Sequence, residues 1–297
     1  MSNKRRITER TMHTLFFIVA SASIVILFMI MVFLFMEGMP IFNEVSVKDF
    51  IFGKYWYPTS EPPDFGILSL IVASLSVTLL SALISIPLGI LTAIYIAEIA
   101  SKKVSEIIKP MVELLAALPS VVIGFFGMVL VAPFLQNVFN IPTGLNLFNA
   151  SLMLAFMSIP TICSISEDAI HSVPNSLREA SLALGATHLE TILKVILPAS
   201  LSGISTAVIL GMSRAIGETM VVLMVAGGAA FIPESIFDPV RPMPASIASE
   251  MAEAPFRSAH YHALFATGIV LFIFTLLFNI VADHIAYKYK QVGEATL

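Results

Sequence analysis

Residues 114–166 read LLAALPSVVIGFFGMVLVAPFLQNVFNIPTGLNLFNASLMLAFMSIPTICSIS, 53 consecutive positions without one charged side chain. About 20 apolar residues at 1.5 Å rise cross the hydrocarbon core of a bilayer, so this run is too long for one span and long enough for two. Its middle, from Gln136 to Asn149, gathers Asn137, Asn140, Pro142, Gly144, Asn146 and Asn149, residue types that favour turns. The stretch therefore divides into helices near 114–135 and 148–166. Outward from it, further charge-poor runs predict spans at Thr11–Met36, Phe65–Ala97, about 200–230 and about 260–286. The expectation is an all-α membrane protein with six transmembrane helices.

The composition agrees. Of 297 residues, 57% are hydrophobic and 12% charged, and the mean hydropathy is +0.92. A soluble domain carries about 25% charged residues. That balance excludes a disordered or nucleic-acid-binding chain and argues against a soluble enzyme. The formal charge of −4 arises from no acidic or basic tail. A single cysteine, Cys163, forms no internal disulfide, gives no zinc spacing and reads as an inert packing residue. No GxxxxGK[ST] phosphate loop occurs, so energy for any active transport must come from a partner. No HExxH or GxSxG occurs either, and His171, His188, His260 and His262 fall in loops or near interfaces. We therefore expect no enzymatic site, and no cofactor, metal site or nucleic-acid partner.

Loop charges set the orientation. With the N-terminus inside, eleven Lys and Arg residues lie on the cytoplasmic side (Lys4, Arg5, Arg6, Arg10, Lys102, Lys103, Lys109, Arg178, Lys194, Lys288, Lys290). Four lie outside: Lys48, Lys54, Arg241 and Arg257. That bias follows the positive-inside rule and, with six spans, puts both termini in the cytoplasm. The first apolar run is too long for a signal-peptide core, so it reads as a retained anchor. Tyr55, Trp56 and Tyr57 fall in an outer loop, where aromatic anchors are expected. Glu98, Glu167, Asp168 and Asp283 fall at cytoplasmic ends, on solvated faces. Glu250, Glu253 and Arg257 belong to the outer loop 231–259, whose Ser246–Ala254 stretch suggests a short helix offering contact to an external protein.

The cytoplasmic loop of about 174–198 is the most ordered-looking connector. Ser176-Leu-Arg178-Glu179 and Thr187-His-Leu-Glu190 both fit the capping box, in which a hydroxyl and a carboxylate each satisfy an orphan amide. Gly185 lies between them, where a helix end favours a residue tolerant of φ > 0. The prediction is two short helices, about 177–184 and 188–197, with Pro198 opening the next span. A tidy connector and a docking element for another protein both fit these signals; its length, about thirty residues, favours docking.

Within that loop, Glu179-Ala180-Ser181, Gly185 and Val195-Ile196-Leu197-Pro198 resemble the EAA loop of ABC importer permeases, with Ser181 for the second Ala and Val195 for Ile. The resemblance implies a coupling helix seated in a groove of an ATPase subunit, with Glu179, Ala180, Gly185, Leu197 and Pro198 as its motif residues. Trp56-Tyr-Pro58 before Phe65-Gly66, Leu118-Pro-Ser-Val-Val122 with Gly124, and Arg214-Ala-Ile-Gly-Glu218-Thr219-Met220 are similar to phosphate-importer permeases, the PstC type more than PstA. This implies a MetI-like permease fold with an extra N-terminal helix, in a bacterial or archaeal cytoplasmic membrane. It divides the chain into a tail, first helix and outer loop (1–64), a permease core (65–287) and a cytoplasmic tail (288–297). It also implies transport of inorganic phosphate, a PstA-like second permease, two copies of a PstB-like ATPase and an external PstS-like phosphate-binding protein. A PstA-type subunit, or a permease for sulfate or molybdate, is the alternative.

Two charges remain inside the membrane. Arg214 is expected near the middle of the fifth span, with Glu218 four residues later on the same helical face. A central Arg costs roughly 2.5–3.5 kcal/mol on insertion scales, so the pair must face protein or an aqueous path. It either fixes helix packing or serves translocation. Packing already has Gly203, Gly211, Ala215 and Gly217, and a guanidinium fork matches phosphate oxygens. The phosphate-permease resemblance also places both residues in translocation. Ser74, Ser76, Thr78, Ser81 and Ser85 either line a path or bond back to their own helix. Pro87 with Gly89, and Pro119 with Gly124, are expected to kink or thin their helices.

Overall fold

The computed structural model describes residues 3–295, and side chains over residues 11–284. Its elements are α1 (Asn3–Gly38), α2 (Val47–Phe52), β1 (Trp56–Tyr57), β2 (Asp64–Phe65), α3 (Leu68–Ile94), α4 (Lys102–Ala116), α5 (Ser120–Phe126) and α6 (Ala132–Phe139). They continue with α7 (Leu147–His171), α8 (Asn175–Ala183), α9 (His188–Thr191), α10 (Leu197–Ile216), α11 (Met220–Val225), α12 (Met243–Glu250) and α13 (Ala259–Ala295). Among the described residues, six helical runs are long and apolar enough to cross a membrane: Thr11–Asn43, Leu68–Ile99, Ser120–Phe139, Leu147–His171, His188–Ile216 and Ala259–His284. The strands form one antiparallel ribbon with Trp56 opposite Phe65.

The centre of the bundle is the contact of α3 with α7. On α3, Ala73, Val77, Ser81, Ser85, Gly89 and Ala93 recur every four residues and all are buried. On α7, Ala150, Leu154, Ser158, Ile162, Ser166 and Ile170 do the same. Lipid tails are as apolar as Leu, so membrane helices associate through close van der Waals packing, which small residues permit. A Cβ at Gly89 would stand 2.8 Å from Ile162 Cγ2, and one at Gly203 of α10 would collide with Ala169 of α7. These serines therefore pack between helices within the chain; among the described residues Ser81 and Ser85 have no hydrogen-bond partner, and Ser74 Oγ accepts from the Met243 amide at 2.8 Å. The first helix packs along α13, where Phe33 and Phe265 meet edge to face at 5.6 Å.

The turn expected around Gln136–Asn149 is present and its residues do local work. Asn140 ends α6 in the left-handed region, at φ 51°. Asn146 caps α7 by accepting from the Asn149 amide, and the Asn149 side chain donates to the carbonyls of Gly127 and Gly144.

Three expectations change. Residues 102–116 form the amphipathic helix α4, and Pro119 then caps α5, so the third span starts at Ser120. The fifth span starts earlier than expected, because α9 runs into α10 through a π-turn, Ile192–Ile196. Pro198 lies two residues past this turn and Pro133 two past a second one, Gly127–Val131. A proline has no N–H and crowds the carbonyl four residues back, and the wider turn accommodates both. Finally, the fifth span stops at Ile216.

Gly203→Ala is expected to force α10 from α7 and lower stability by about 1–3 kcal/mol, read as a reduced unfolding midpoint in detergent. Gly217→Ala, whose Cβ meets nothing within 4 Å, should leave that midpoint unchanged.

Candidate translocation and coupling sites

The loop between α7 and α10 is built as two helices around a tight turn. Pro174 takes the N-cap of α8, with no side-chain cap bond. Ser176 is thereby already inside the first turn, so the first expected capping box does not form. The second does: Thr187 accepts from the Glu190 amide, and the Glu190 carboxylate from the Thr187 amide. Between them Gly185 adopts φ +85°. Its amide donates to Leu182 O and that of Ala186 to Ser181 O, the paired bonds that close a helix on a left-handed residue. The Ser181 hydroxyl lies 2.9 Å from that of Thr191, so the serine joins α8 to α9 where alanine could not.

Glu179, Ala180 and Gly185 share the exposed end of this pair. A shallow groove there is lined by Leu177, Ala180, Ser181, Leu184 and Glu190, and Leu184 is 89% exposed. Leu197 and Pro198 stand apart, on the helix leaving the loop.

Asp168 and Asp283 are exposed as expected, but Glu98 and Glu167 are not. Glu167 is buried and the Glu98 side chain is only 7% exposed: Arg178 Nη2 meets Glu98 Oε1 at 2.7 Å, and Lys109 Nζ meets Glu167 Oε2 at 2.8 Å, with His171 at 3.2 Å from the other oxygen. The Glu167 carboxylate beside it raises Lys109 above the ordinary lysine pKa, against the opposing effect of burial. The sequence shows each charge but not its partner, 80 residues away for Arg178 and 58 for Lys109.

Arg214 and Glu218 do not share a helical face. The helix breaks at Gly217, which is the C-cap of α10, and α11 begins at Met220. Gly211 packs on Ile162, and its carbonyl accepts from the Ser158 hydroxyl at 3.4 Å. Ser158 stands midway along α7, so Gly211 is level with the middle of that helix, Arg214 about 4.5 Å and the break at Gly217 about 9 Å further along α10. Arg214 is exposed on the surface of the chain. Among the described residues it has no hydrogen-bond or ion-pair partner. Glu218 instead accepts from the Val221 amide at 3.2 Å, at the start of α11. Each charge complements the dipole of its own helix end, a cation at a C-terminus and an anion at an N-terminus.

The opposite end holds a cluster that local patterns did not reveal. Glu250, expected on an outer surface, is instead a hub. It accepts from Trp56 Nε1 at 2.9 and 3.0 Å, Arg241 at 2.6 Å and the Ser246 hydroxyl at 3.1 Å, and contacts His260 at 2.8 Å. Trp56 is 1% exposed, not an interfacial anchor, whereas Tyr55 and Tyr57 are exposed as expected. Arg241 also donates to Gly228 O, which ties the segment after α11 to the hub.

Among the described residues, six apolar helices, a central small-residue contact and a projecting helix pair define a multi-pass membrane protein. The family model "Binding-protein-dependent transport system inner membrane component" matches residues 85–291, and the chain belongs to that family. It is 40% identical over 263 residues to "Probable ABC transporter permease protein YqgH" of Bacillus subtilis, covering 88% of this chain and 85% of that one. It is 33% identical to "Phosphate transport system permease protein PstC" of Mesorhizobium japonicum, covering 80% and 78%. Among solved structures, a bacterial alginate ABC transporter in complex with its alginate-loaded periplasmic protein matches with TM-score 0.69 over 96% of both chains, at 16% identity. The methionine transporter MetNI in an inward-facing form matches with TM-score 0.56 over 75% of this chain and 94% of that one, at 21% identity. These two establish the MetI-like fold, with α1 as its extra N-terminal helix.

Glu250→Ala removes the acceptor of Arg241 and Trp56 and is expected to destabilise by about 3–5 kcal/mol, as for a broken buried ion pair. Thermal unfolding in detergent would register this, while exposed Glu253→Ala should not move the midpoint.

Proposed function

We propose that this importer permease carries inorganic phosphate, and that the solute passes Arg214 at the break between α10 and α11. The observation that supports this most is a guanidinium exposed in the last turn of an apolar membrane-length helix, with no partner among the described residues. A cation there is tolerable only against protein or water, and irregular backbone within the hydrocarbon belongs beside a cavity or another chain. Facing a PstA-like second permease, Arg214 would border an aqueous path, offering forked donors to a tetrahedral oxyanion. Glu218 caps α11 and holds the shape of the break, without neutralising Arg214. The similarity to PstC permeases supports phosphate; a permease for sulfate or molybdate, or a PstA-type subunit, is the competing reading.

The rest of the machine follows from the same reading. Two PstB-like ATPase subunits supply energy, one of them receiving Glu179, Ala180, Gly185 and the exposed Leu184, with Leu197 and Pro198 setting the exit of the loop. A PstS-like protein delivers phosphate at the α12 end. The core comprises residues 65–287, flanked by 1–64 and 288–297, with the α8–α9 loop and both termini cytoplasmic.

The test is uptake of labelled phosphate by proteoliposomes containing the complete complex. Arg214→Gln is expected to reduce uptake by roughly 10- to 100-fold, the worth of a hydrogen bond to a charged group. Uptake at the wild-type rate would refute the role of Arg214. Suppression of labelled phosphate by sulfate or molybdate at equal concentration would replace phosphate with another oxyanion.

A further inference from the structure

The projecting loop is attached to the membrane helices in two ways. One is covalent: α7 passes into α8 through Ser172–Pro174, and α9 continues through the π-turn into α10. The other runs through the residue just before Glu179. Arg178 Nη2 donates to Glu98 Oε1 at 2.7 Å and to Ile170 O at 3.1 Å, while Nη1 donates to Asn175 Oδ1 at 3.0 Å. Glu98 stands in the π-turn Tyr95–Ile99 that closes α3, and Ile170 lies in the last turn of α7. One guanidinium therefore grips the ends of the two helices that form the centre of the bundle. Leu177 packs beside it against the apolar cluster of Ile96, Ile170 and Ile192.

We infer that Arg178 and Glu98 form a positioning link that carries movement of the α8–α9 turn to α3 and α7. Three observations support a linkage over simple stabilisation. The pair is mostly withdrawn from water, at 22% and 7% exposure, and buried ion pairs add little stability over apolar residues of similar volume. Glu98 sits at a helix C-terminus, where its charge opposes the dipole, so α3 gains nothing from it without Arg178. Arg178 Nε is buried without an acceptor, leaving a donor that a shifted arrangement of the helix ends would satisfy. The contrast with Glu179 is direct: that neighbour is exposed for a partner, whereas Arg178 turns inward.

The inference rests on the proposal that an ATPase subunit docks at the α8–α9 turn, and the experiment separates the two. The complete complex is reconstituted in proteoliposomes, and solute uptake and ATP hydrolysis are measured together. Crosslinking of Leu184→Cys to the ATPase subunit reports docking. Arg178→Gln and Glu98→Gln are each expected to keep the crosslink and basal hydrolysis but lower uptake per ATP by roughly tenfold, the scale of coupling through one contact network. The double variant Glu98→Leu with Arg178→Met leaves no unpaired buried charge, so it should assemble like wild type and still be uncoupled. Normal uptake per ATP in the double variant would overturn the link, as would loss of its assembly or of its crosslink. Absence of the crosslink in an otherwise wild-type loop would instead overturn the docking proposal.

Discussion

Everything in this molecule is placed relative to one contact, the four-residue stripes of α3 and α7. A bilayer supplies no hydrophobic force between helices, so backbones must approach closely enough for dispersion to favour protein contacts over lipid contacts. Ala73, Ser81, Ser85, Gly89 and Ala93 meet that demand on one side. Ser81 and Ser85 meet it by size alone, since their hydroxyls have no partner among the described residues. Gly203 and Gly211 then bring α10 onto the same helix, α7, at Ala169 and Ile162. The close-packed centre leaves no room for a charge. Within the apolar runs that follow α1, the described charged residues therefore lie near helix ends, as Glu98, Glu167 and Arg214 do.

What could be read from the sequence, and what could not, divides along the same line. Features decided within a few residues were legible: Asn140, Asn146 and Asn149 in the turn, Gly185 in the left-handed region, and the Thr187–Glu190 box. The parallel Ser176–Glu179 pattern misled, because Pro174 starts the helix ahead of Ser176. The break at Gly217 was hidden, since an apolar run resumes at Met220–Val225 and composition does not show a backbone that changes course. The amphipathic α4 was detectable: Val104, Ile107, Ile108, Met111, Val112 and Leu115 follow the helical period. Partnerships across the fold were invisible. Trp56 and Glu250 are 194 residues apart, and nothing near either position signals the other.

Helix dipoles separate the charges into two kinds. At the break, Arg214 lies in the last turn of α10 and Glu218 just before the start of α11, so each is favoured by its own helix and neither needs the other. That independence is what the proposed path requires, because a guanidinium neutralised by Glu218 would offer little to an incoming anion. At the loop end the signs are reversed. Glu98 and Glu167 lie in the last turns of their runs, disfavoured by the local dipole and nearly dry. Each is kept by a cation from another element, Arg178 of α8 and Lys109 of α4. Carboxylates that depend on borrowed partners make α3 and α7 sensitive to where α8 and α4 sit. A transporter that must move one end in response to the other has reason to place self-sufficient charges at the solute and dependent ones at the drive.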